Sequence, residues 1–412
     1  MKVQRTLGCA LALGAIAPNV AHAQGSYLFV WAGGKTGNEM MATIDAAPAS
    51  PMYGRVVATA STGKVGSPHH TEAELAPNGH LLANDFGAGE TWLFDLHAPL
   101  HPRVMTSFED VAGFSHPHTF VRLANGRVLS TFQYRADSGA RKSAMRMDDD
   151  MRMGGEHLTG GLVEMDERGH AYQAASASDT TIADRRIYPY SVLPMPNMNR
   201  AVSTTTDMDA ADTAATAQWV QIWRLSDLSL LRTIELPAGP RGNENRYTGE
   251  SRVLADGRSV YIHTFNCGLF LLRDIEGDHP RATFVKGFEG TDCGVPILTG
   301  HYWLQTVPAA HALVALDITD PEHPQEVSRV TVPSDEAPHW IAIDASGRRI
   351  AMNSGGHGSR LFIIDFDRAS GHLALDEHFR DAGAASAGIT LSGANWTGFT
   401  GKVVPHGAVF SR

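Results

Sequence analysis

Histidines recur at the beginnings of predicted strands along this chain. The stretch SPHHTEAEL places His69 and His70 side by side, and HTFVRL, PHWIAI and VPHGAVF contribute His118, His339 and His406. Neutral imidazole is a ligand for copper, zinc and iron, and three or four such nitrogens make a metal site. The chain has 20 histidines, so a single one indicates little. Several in equivalent positions of a repeat would predict a metal centre.

A hairpin repeat could position these side chains. Segments such as ELAPNGHLLAND, VRLANGRVLSTF and IAIDASGRRIAMNS each join two β-rich strands through a turn with a residue suited to positive φ. A third strand such as TWLFDL and a weaker fourth strand follow most turns. The six predicted turn centres are Gly79, Gly126, Asn199, Gly257, Gly300 and Gly347.

Four strands repeated about every 40 to 50 residues are typical of β-propeller blades. Six units are visible, and a seventh can be assembled from VPHGAVF at the C-terminus and three strands near the N-terminus. The sequence therefore predicts an all-β fold, a seven-bladed β-propeller with four-stranded blades whose ring is closed by N- and C-terminal strands. Rings of six or eight blades remain open alternatives.

The first strand of each blade lines the central channel of a propeller, so residues that open those strands at one face approach each other. The residues about seven to nine positions before each turn centre, with His406 in a comparable place, are His70, His118, Tyr190, Glu250, Cys293 and His339. His69 and His116 stand beside two of them. The predicted metal ligands are His69, His70, His118, His339 and His406.

The adjacent pair sets a condition on this prediction. Neighbouring residues on a regular strand point to opposite faces. His69 and His70 can bind one ion only if the segment after Pro68 is irregular.

Two carboxylates near the predicted ring are candidate catalytic residues. Glu72 continues the strand of the histidine pair, and Glu250 opens another inner strand. Either could orient a ligating imidazole or relay protons. The alternative is that they form salt bridges with Arg122 and Arg252.

The first 23 residues are typical of a secretory signal peptide, because Lys2 and Arg5 precede an apolar stretch and Ala21-His22-Ala23 resembles a cleavage site. We therefore expect a single propeller domain over residues 24–412 in the periplasm or outside the cell. No later segment is long and apolar enough to predict a membrane span. The net charge of −10 argues against nucleic acid as a partner. In an oxidising compartment Cys267 and Cys293 could form a disulfide, and two buried thiols are the alternative.

An insertion at about residues 136–161 lengthens one repeat. It carries Met145, Met147, Met151 and Met153 with His157 nearby. Thioethers suit Cu(I), so a copper-acquiring loop is one interpretation, and a solvated or lid-forming loop is the other.

The motifs PHHTEAEL, HTFVRLANGRVLS, GGLVEMDERG, ALVALDITDPEHPQEV and VPHGAVF, in this order, resemble the selenium-binding protein and methanethiol oxidase family. The resemblance implies a seven-bladed propeller and, as in the bacterial oxidases, a copper enzyme that converts methanethiol and O2 to formaldehyde, sulfide and peroxide. It implies His69, His70, His118 and His406 as copper ligands, whereas His339 departs from the pattern and would be an added or replacement ligand. The family's cysteine-rich segment and the tryptophan near the histidine pair are missing here.

Three functions follow from these features. The first is an exported copper-dependent oxidase of a small thiol, with the thiol and O2 as its partners. The second is a non-catalytic propeller of the selenium-binding type that binds metal or protein. The third, a lactonase-like hydrolase, would need an ion held by carboxylates and amides, and the histidine-rich ring makes it the least favoured.

Overall fold

A computed structural model describes residues 26–34, 37–137, 158–183, 185–208, 217–355, 358–391 and 403–412. The strands of the first half are β1 (Tyr27–Gly34), β2 (Gly37–Asp45), β3 (Val56–Ser61), β4 (Pro68–Thr71), β5 (His80–Asp85), β6 (Glu90–Asp95), β7 (Arg103–Phe108), β8 (Phe114–Arg122), β9 (Val128–Arg135), β10 (Thr159–Met165), β11 (Ala171–Ser176), β12 (Pro189–Met195), β13 (Arg200–Thr205), β14 (Trp219–Arg224) and β15 (Ser229–Glu235). Those of the second half are β16 (Thr248–Val253), β17 (Val260–Thr264), β18 (Gly268–Arg273), β19 (Arg281–Gly287), β20 (Ile297–Thr299), β21 (Tyr302–Val307), β22 (Ala312–Asp317), β23 (Gln325–Thr331), β24 (Trp340–Ile343), β25 (Arg349–Asn353), β26 (Arg360–Phe366), β27 (Leu373–Leu375), β28 (Ile389–Thr390) and β29 (Val404–Phe410). The helices of the described residues are the short 3-10 turns Thr180–Ile182, Pro196–Met198 and Pro308–Ala310.

These strands form seven antiparallel sheets, which confirms the predicted seven-bladed propeller. Six sheets use consecutive strands, from β4 to β7 in the first and from β24 to β27 in the last, where β28 adds a fifth strand. The remaining sheet has the order β29-β1-β2-β3, so the C-terminal strand pairs with the N-terminal one. This pairing places both ends of the chain in one blade and closes the ring, as the sequence predicted.

The predicted turn residues fix the hairpins that join the first and second strands of each blade. Gly79, Gly126 and Gly257 have φ of 75°, 82° and 67°, and Asn199 has φ of 50°. Most residues avoid this left-handed region, whereas glycine and asparagine tolerate it. The turn chemistry was therefore a reliable marker of blade position.

The core lies between neighbouring blades. Trp31 of β1 packs edge-on against Phe94 of β6 with ring centroids 5.4 Å apart, and both side chains are fully buried. Trp303 of β21 and Tyr261 of β17 make the equivalent contact elsewhere in the ring, at 5.5 Å. Because each blade presses both faces against a neighbour, its middle strands are apolar on both sides. This packing holds the inner strands, and the residues that open them, at fixed separations.

Cys267 and Cys293 form a disulfide, one of the two alternatives left open by the sequence. Their Cα atoms lie 5.1 Å apart and the bond links positions 26 residues apart. The backbone N–H of Cys293 also donates to the carbonyl of Phe265 at 2.9 Å. The disulfide and this hydrogen bond therefore fasten the loop of Phe265 to the segment that enters the next blade.

Two predictions fall outside the described residues. The signal peptide over residues 1–23 does, and so does the central part of the insertion, residues 138–157 with its four methionines and His157. Within the part of the chain that the structure describes, we find no helix long and apolar enough to cross a membrane.

Candidate metal centre

The five predicted histidine ligands converge where the inner strands of the propeller meet. The ring centroids of His70 and His118 lie 4.4 Å apart, and those of His69 and His406 lie 4.5 Å apart. His339, which immediately precedes β24, lies 5.1 Å from His406. The blades thus bring together residues that are more than 300 positions apart in the sequence. Their role as ligands remains a prediction.

The histidine pair meets the condition set by the sequence, because the strand is irregular. The pairing of β4 with β5 shifts register between Pro68 and Thr71. As a result the rings of His69 and His70 stack face to face, with centroids 4.1 Å apart and an interplanar angle of 4°. Both imidazoles therefore lie together, stacked ring on ring, rather than on opposite sides of a sheet.

Two asparagines that the sequence analysis missed hold the histidine-bearing strands together. Asn84, near the end of β5, accepts a hydrogen bond from the backbone N–H of His70 at 2.6 Å and donates to the carbonyl of Pro117 at 2.8 Å. Asn353, at the end of β25, donates to the carbonyl of His406 at 2.7 Å, and its own backbone carbonyl accepts from the N–H of His339 at 2.8 Å. An asparagine at or next to the end of the second strand in two separate blades was the available signal.

The imidazoles form two overlapping groups with the spacing of metal ligands. One group comprises His69, His70 and His118, and the other comprises His70, His339 and His406. Within each group the candidate ligand nitrogens all lie within 4.8 Å of one another. His70 belongs to both, so its nitrogen is central to any ion held here.

Hydrogen bonding prepares His118 to act as a ligand. Its Nδ1 lies 2.9 Å from the carbonyl oxygen of Tyr190, an acceptor that fixes the proton on Nδ1. Its Nε2 is buried and has no hydrogen-bond partner among the described residues, and the same is true of His69 Nδ1. A buried nitrogen lone pair without a donor is costly unless a cation occupies the site. These residues fit a metal ion.

Burial also keeps His69, His70 and His118 neutral. It lowers the pKa of His118 to about 3, and it is the main reason that the pKa values of His69 and His70 lie well below the usual range. Neighbouring imidazoles lower the last two further. Neutral imidazole is the form that binds metals, so these three histidines stay in that form well below neutral pH.

We expect the metal-free protein to lose stability as the pH falls from 7 to 5.5. The folded-state pKa values lie below the unfolded value near 6.5, so the unfolded chain takes up protons that the folded chain does not. Each such histidine lowers the free energy of unfolding by up to about 1.4 kcal/mol per pH unit. Urea unfolding at a series of pH values measures this slope. His118→Asn, which keeps a donor for the Tyr190 carbonyl, should give a shallower dependence of the free energy of unfolding on pH. An identical dependence would contradict the lowered pKa of His118.

The two predicted catalytic carboxylates form the salt bridges that were the alternative. Glu72 accepts from Arg122 at 2.7 and 3.1 Å and from the backbone N–H of Leu82 at 2.8 Å. Glu250 pairs with Arg252 at 2.9 Å. Both carboxylates therefore have partners of their own, and a catalytic role for them stays a prediction.

Other buried aromatic residues surround the centre. His263 of β17, which the sequence analysis did not single out, is fully buried and its Nδ1 accepts from the N–H of Glu250 at 2.8 Å. His116 packs against Phe86 and Tyr134 and is in neither ligand group. Trp340 lies 4.9 Å from the ring of His70. A tryptophan therefore contacts the histidine pair from another blade.

Cavities approach the histidines from two sides. One, of about 370 Å³, is lined by His69, His339 and His406 together with Tyr190, Met208 and Phe265. The other, of about 300 Å³, runs along the axis from His70 past Val192, Val295 and Trp340 to Glu250. Glu72 lines neither of them. A small molecule in the first cavity would lie beside three of the five histidines.

Comparisons with known proteins agree with this architecture. A segment of 113 residues is 35% identical to the methanethiol oxidase of Hyphomicrobium sp., and 136 residues are 26% identical to that of Ruegeria pomeroyi. The matches span 26% and 31% of the chain and the same shares of the two oxidases, so less than a third of either relative is covered. No protein-family model matches the chain.

Solved structures share the fold over nearly the whole length. A selenium-binding protein from Sulfolobus tokodaii superposes with a TM-score of 0.68 at 14% identity, covering 95% of this chain and 94% of that one. The periplasmic gluconolactonase of Pseudomonas aeruginosa gives 0.60 at 14% identity, covering 94% and 99%. At such identity these likenesses show the fold alone. Together with the two oxidase matches, they confirm the resemblance noted from the sequence.

Proposed function

We propose that this protein is a copper-dependent oxidase of a small thiol that uses O2. The observation that carries the proposal is the convergence of five buried or partly buried imidazoles at the propeller axis, beside a cavity open to small molecules. The two partial matches to proteins named methanethiol oxidase support the same substrate class.

Copper fits the donor set better than a hard cation does. The two ligand groups consist of imidazole nitrogens without a carboxylate, whereas magnesium and calcium prefer oxygen ligands. Three or four of the imidazoles of His69, His70, His118, His339 and His406 would hold the ion, with His70 common to both groups. Bound copper would supply a change of oxidation state and an affinity for thiolate sulfur.

The chain's own residues would orient the thiol, limit access by water and receive its proton. Tyr190, Phe265 and Met208 form an aromatic and thioether wall beside the histidines. Asp292 lines the same cavity and would take the thiol proton, whereas Asp207 already accepts from the Tyr134 hydroxyl at 2.7 Å. Tyr190 also places its hydroxyl 3.5 Å from His70 Nε2.

The reaction balances for methanethiol when water takes part. One molecule each of methanethiol, O2 and water gives one molecule each of formaldehyde, hydrogen sulfide and hydrogen peroxide. The carbon is oxidised by two electrons, and O2 accepts both of them to form the peroxide. Sulfide and peroxide are therefore expected in equal amounts.

Export of the protein is part of the proposal. The signal-peptide pattern at residues 1–23 supports it. The disulfide between Cys267 and Cys293 supports it independently, because such bonds persist mainly in oxidising compartments.

Turnover of methanethiol tests this function. We expect purified, copper-loaded protein to consume O2 with methanethiol and to release peroxide and sulfide in the equal amounts that the balanced reaction requires. An oxygen electrode, a peroxidase-coupled assay and a sulfide assay measure the three. Bound copper without turnover would identify a metal carrier, and absence of any bound transition metal would contradict both functions.

A further inference from the structure

A second cluster of buried ionisable groups lies outside the histidine centre, where the ring-closing blade meets the next blade. Glu39 of β2 and Asp85 at the end of β5 approach each other across Gly66. A Cβ added to Gly66 would overlap Asp85 Oδ2 and lie 2.7 Å from Glu39 Oε2. The two oxygens are therefore within about 5 Å of each other, a separation that one Ca²⁺ with ligands at roughly 2.3–2.6 Å can bridge.

Glu39 lacks a compensating cation among the described residues. Its side chain is 0% exposed, and neither carboxylate oxygen makes a hydrogen bond of good geometry in that part of the chain. The side chains of Thr62 and Trp92 lie close enough to lower its pKa in part, but neither carries a positive charge. Asp85 is 2% exposed and accepts from the N–H of Ala88 at 3.2 Å, and the backbone N–H groups of Ser67 and Gly87 also stabilise its charged form. A buried carboxylate of this kind must be neutralised by a cation or by a proton.

Lys64, a lysine near the two carboxylates, is already paired. Its Nζ lies 2.9 and 2.7 Å from the two oxygens of Glu90, so that pair is neutral by itself. Among the described residues, Glu39 and Asp85 would then have no matching cation if both were ionised. Burial, with the neighbouring carboxylate adding to it, raises the pKa of Glu39 to about 9, and burial raises the pKa of Asp85 to about 6.

We propose that Glu39 and Asp85 bind a calcium ion at this junction. Carboxylate oxygens without nitrogen or sulfur donors select a hard cation over copper, and two carboxylates match its charge. Gly66 lies two residues before Pro68, so the ion would stabilise the ring closure and the segment that leads to His69 and His70. This site is independent of the proposed oxidase activity.

Calcium dependence of thermal unfolding, measured on the copper-free whole protein, tests the proposal. We expect about 1 mM Ca²⁺ to raise Tm by several degrees relative to EGTA and about one calcium per chain to remain after desalting. Glu39→Gln should abolish both effects. Glu377→Gln, the same change at an exposed position on another blade, should retain both.

Asp85→Asn provides a second variant if Glu39→Gln does not fold, because its side-chain oxygen can still accept from Ala88. The proposal is wrong if calcium leaves the Tm of the wild-type protein unchanged, or if Glu39→Gln responds as the wild type does. In that case the carboxyl pair holds a proton. With the folded pKa of Glu39 above its unfolded value, stability would then decline as the pH rises from about 4.5 towards 9.

Discussion

His70→Ala is expected to abolish metal binding and to lower kcat/KM for methanethiol by at least about a thousandfold. His70 belongs to both ligand groups, so its loss leaves two imidazoles in each, fewer than a stable site requires. Elemental analysis gives the metal per chain, and circular dichroism checks that the β-sheet content is unchanged.

Two comparisons make the His70 result specific. His339→Ala removes a ligand from one group only, so we expect partial retention of metal. His372→Ala changes an exposed histidine on an outer loop and should bind metal as the wild type does. If His70→Ala bound as much metal as His372→Ala, the assignment of ligands would be wrong.

Arg122→Leu is expected to lower the free energy of unfolding by about 3–5 kcal/mol. It removes both guanidinium contacts to Glu72, whose side chain is only 4% exposed, and so leaves a buried carboxylate without its cation. Chemical denaturation measures the loss. Arg232→Leu, which breaks an ion pair whose side chains are 48% and 89% exposed, should cost less than about 1 kcal/mol.

The variant Glu72→Gln separates the structural interpretation of Glu72 from the catalytic one. If the carboxylate is structural, Glu72→Gln lowers stability and leaves metal content and kcat close to wild type. A large fall in kcat with unchanged stability would instead support the catalytic role predicted from the sequence. Equal stability of Arg122→Leu and Arg232→Leu would show that the buried pair does not stabilise the fold.

The architecture was predictable because turn chemistry is local. Gly79, Gly126 and Asn199 identify hairpins through their own backbone conformation, and the hairpin spacing then gives the blades. Placing His70, His118 and His406 on one ring followed from that geometry. The ring closure also followed, since seven complete blades required strands from both termini.

The sequence could not predict features that depend on contacts between blades. Asn84 and Asn353 each join a residue of their own blade to a strand more than 30 positions away, and the second contact has no local signal. Trp340 reaches His70 from a distant blade, and no local pattern indicates how far apart the two rings lie. Whether Glu72 faces Arg122 or the metal centre depends on side-chain packing that strand alternation alone leaves open.

X-ray absorption at the copper edge of the loaded protein tests the central idea most directly. A spectrum dominated by about three or four imidazole nitrogens, and lost in His70→Ala, is the expected result. A coordination shell of oxygen or sulfur atoms only, or one identical in His70→Ala, would mean that the axial histidines do not hold the metal.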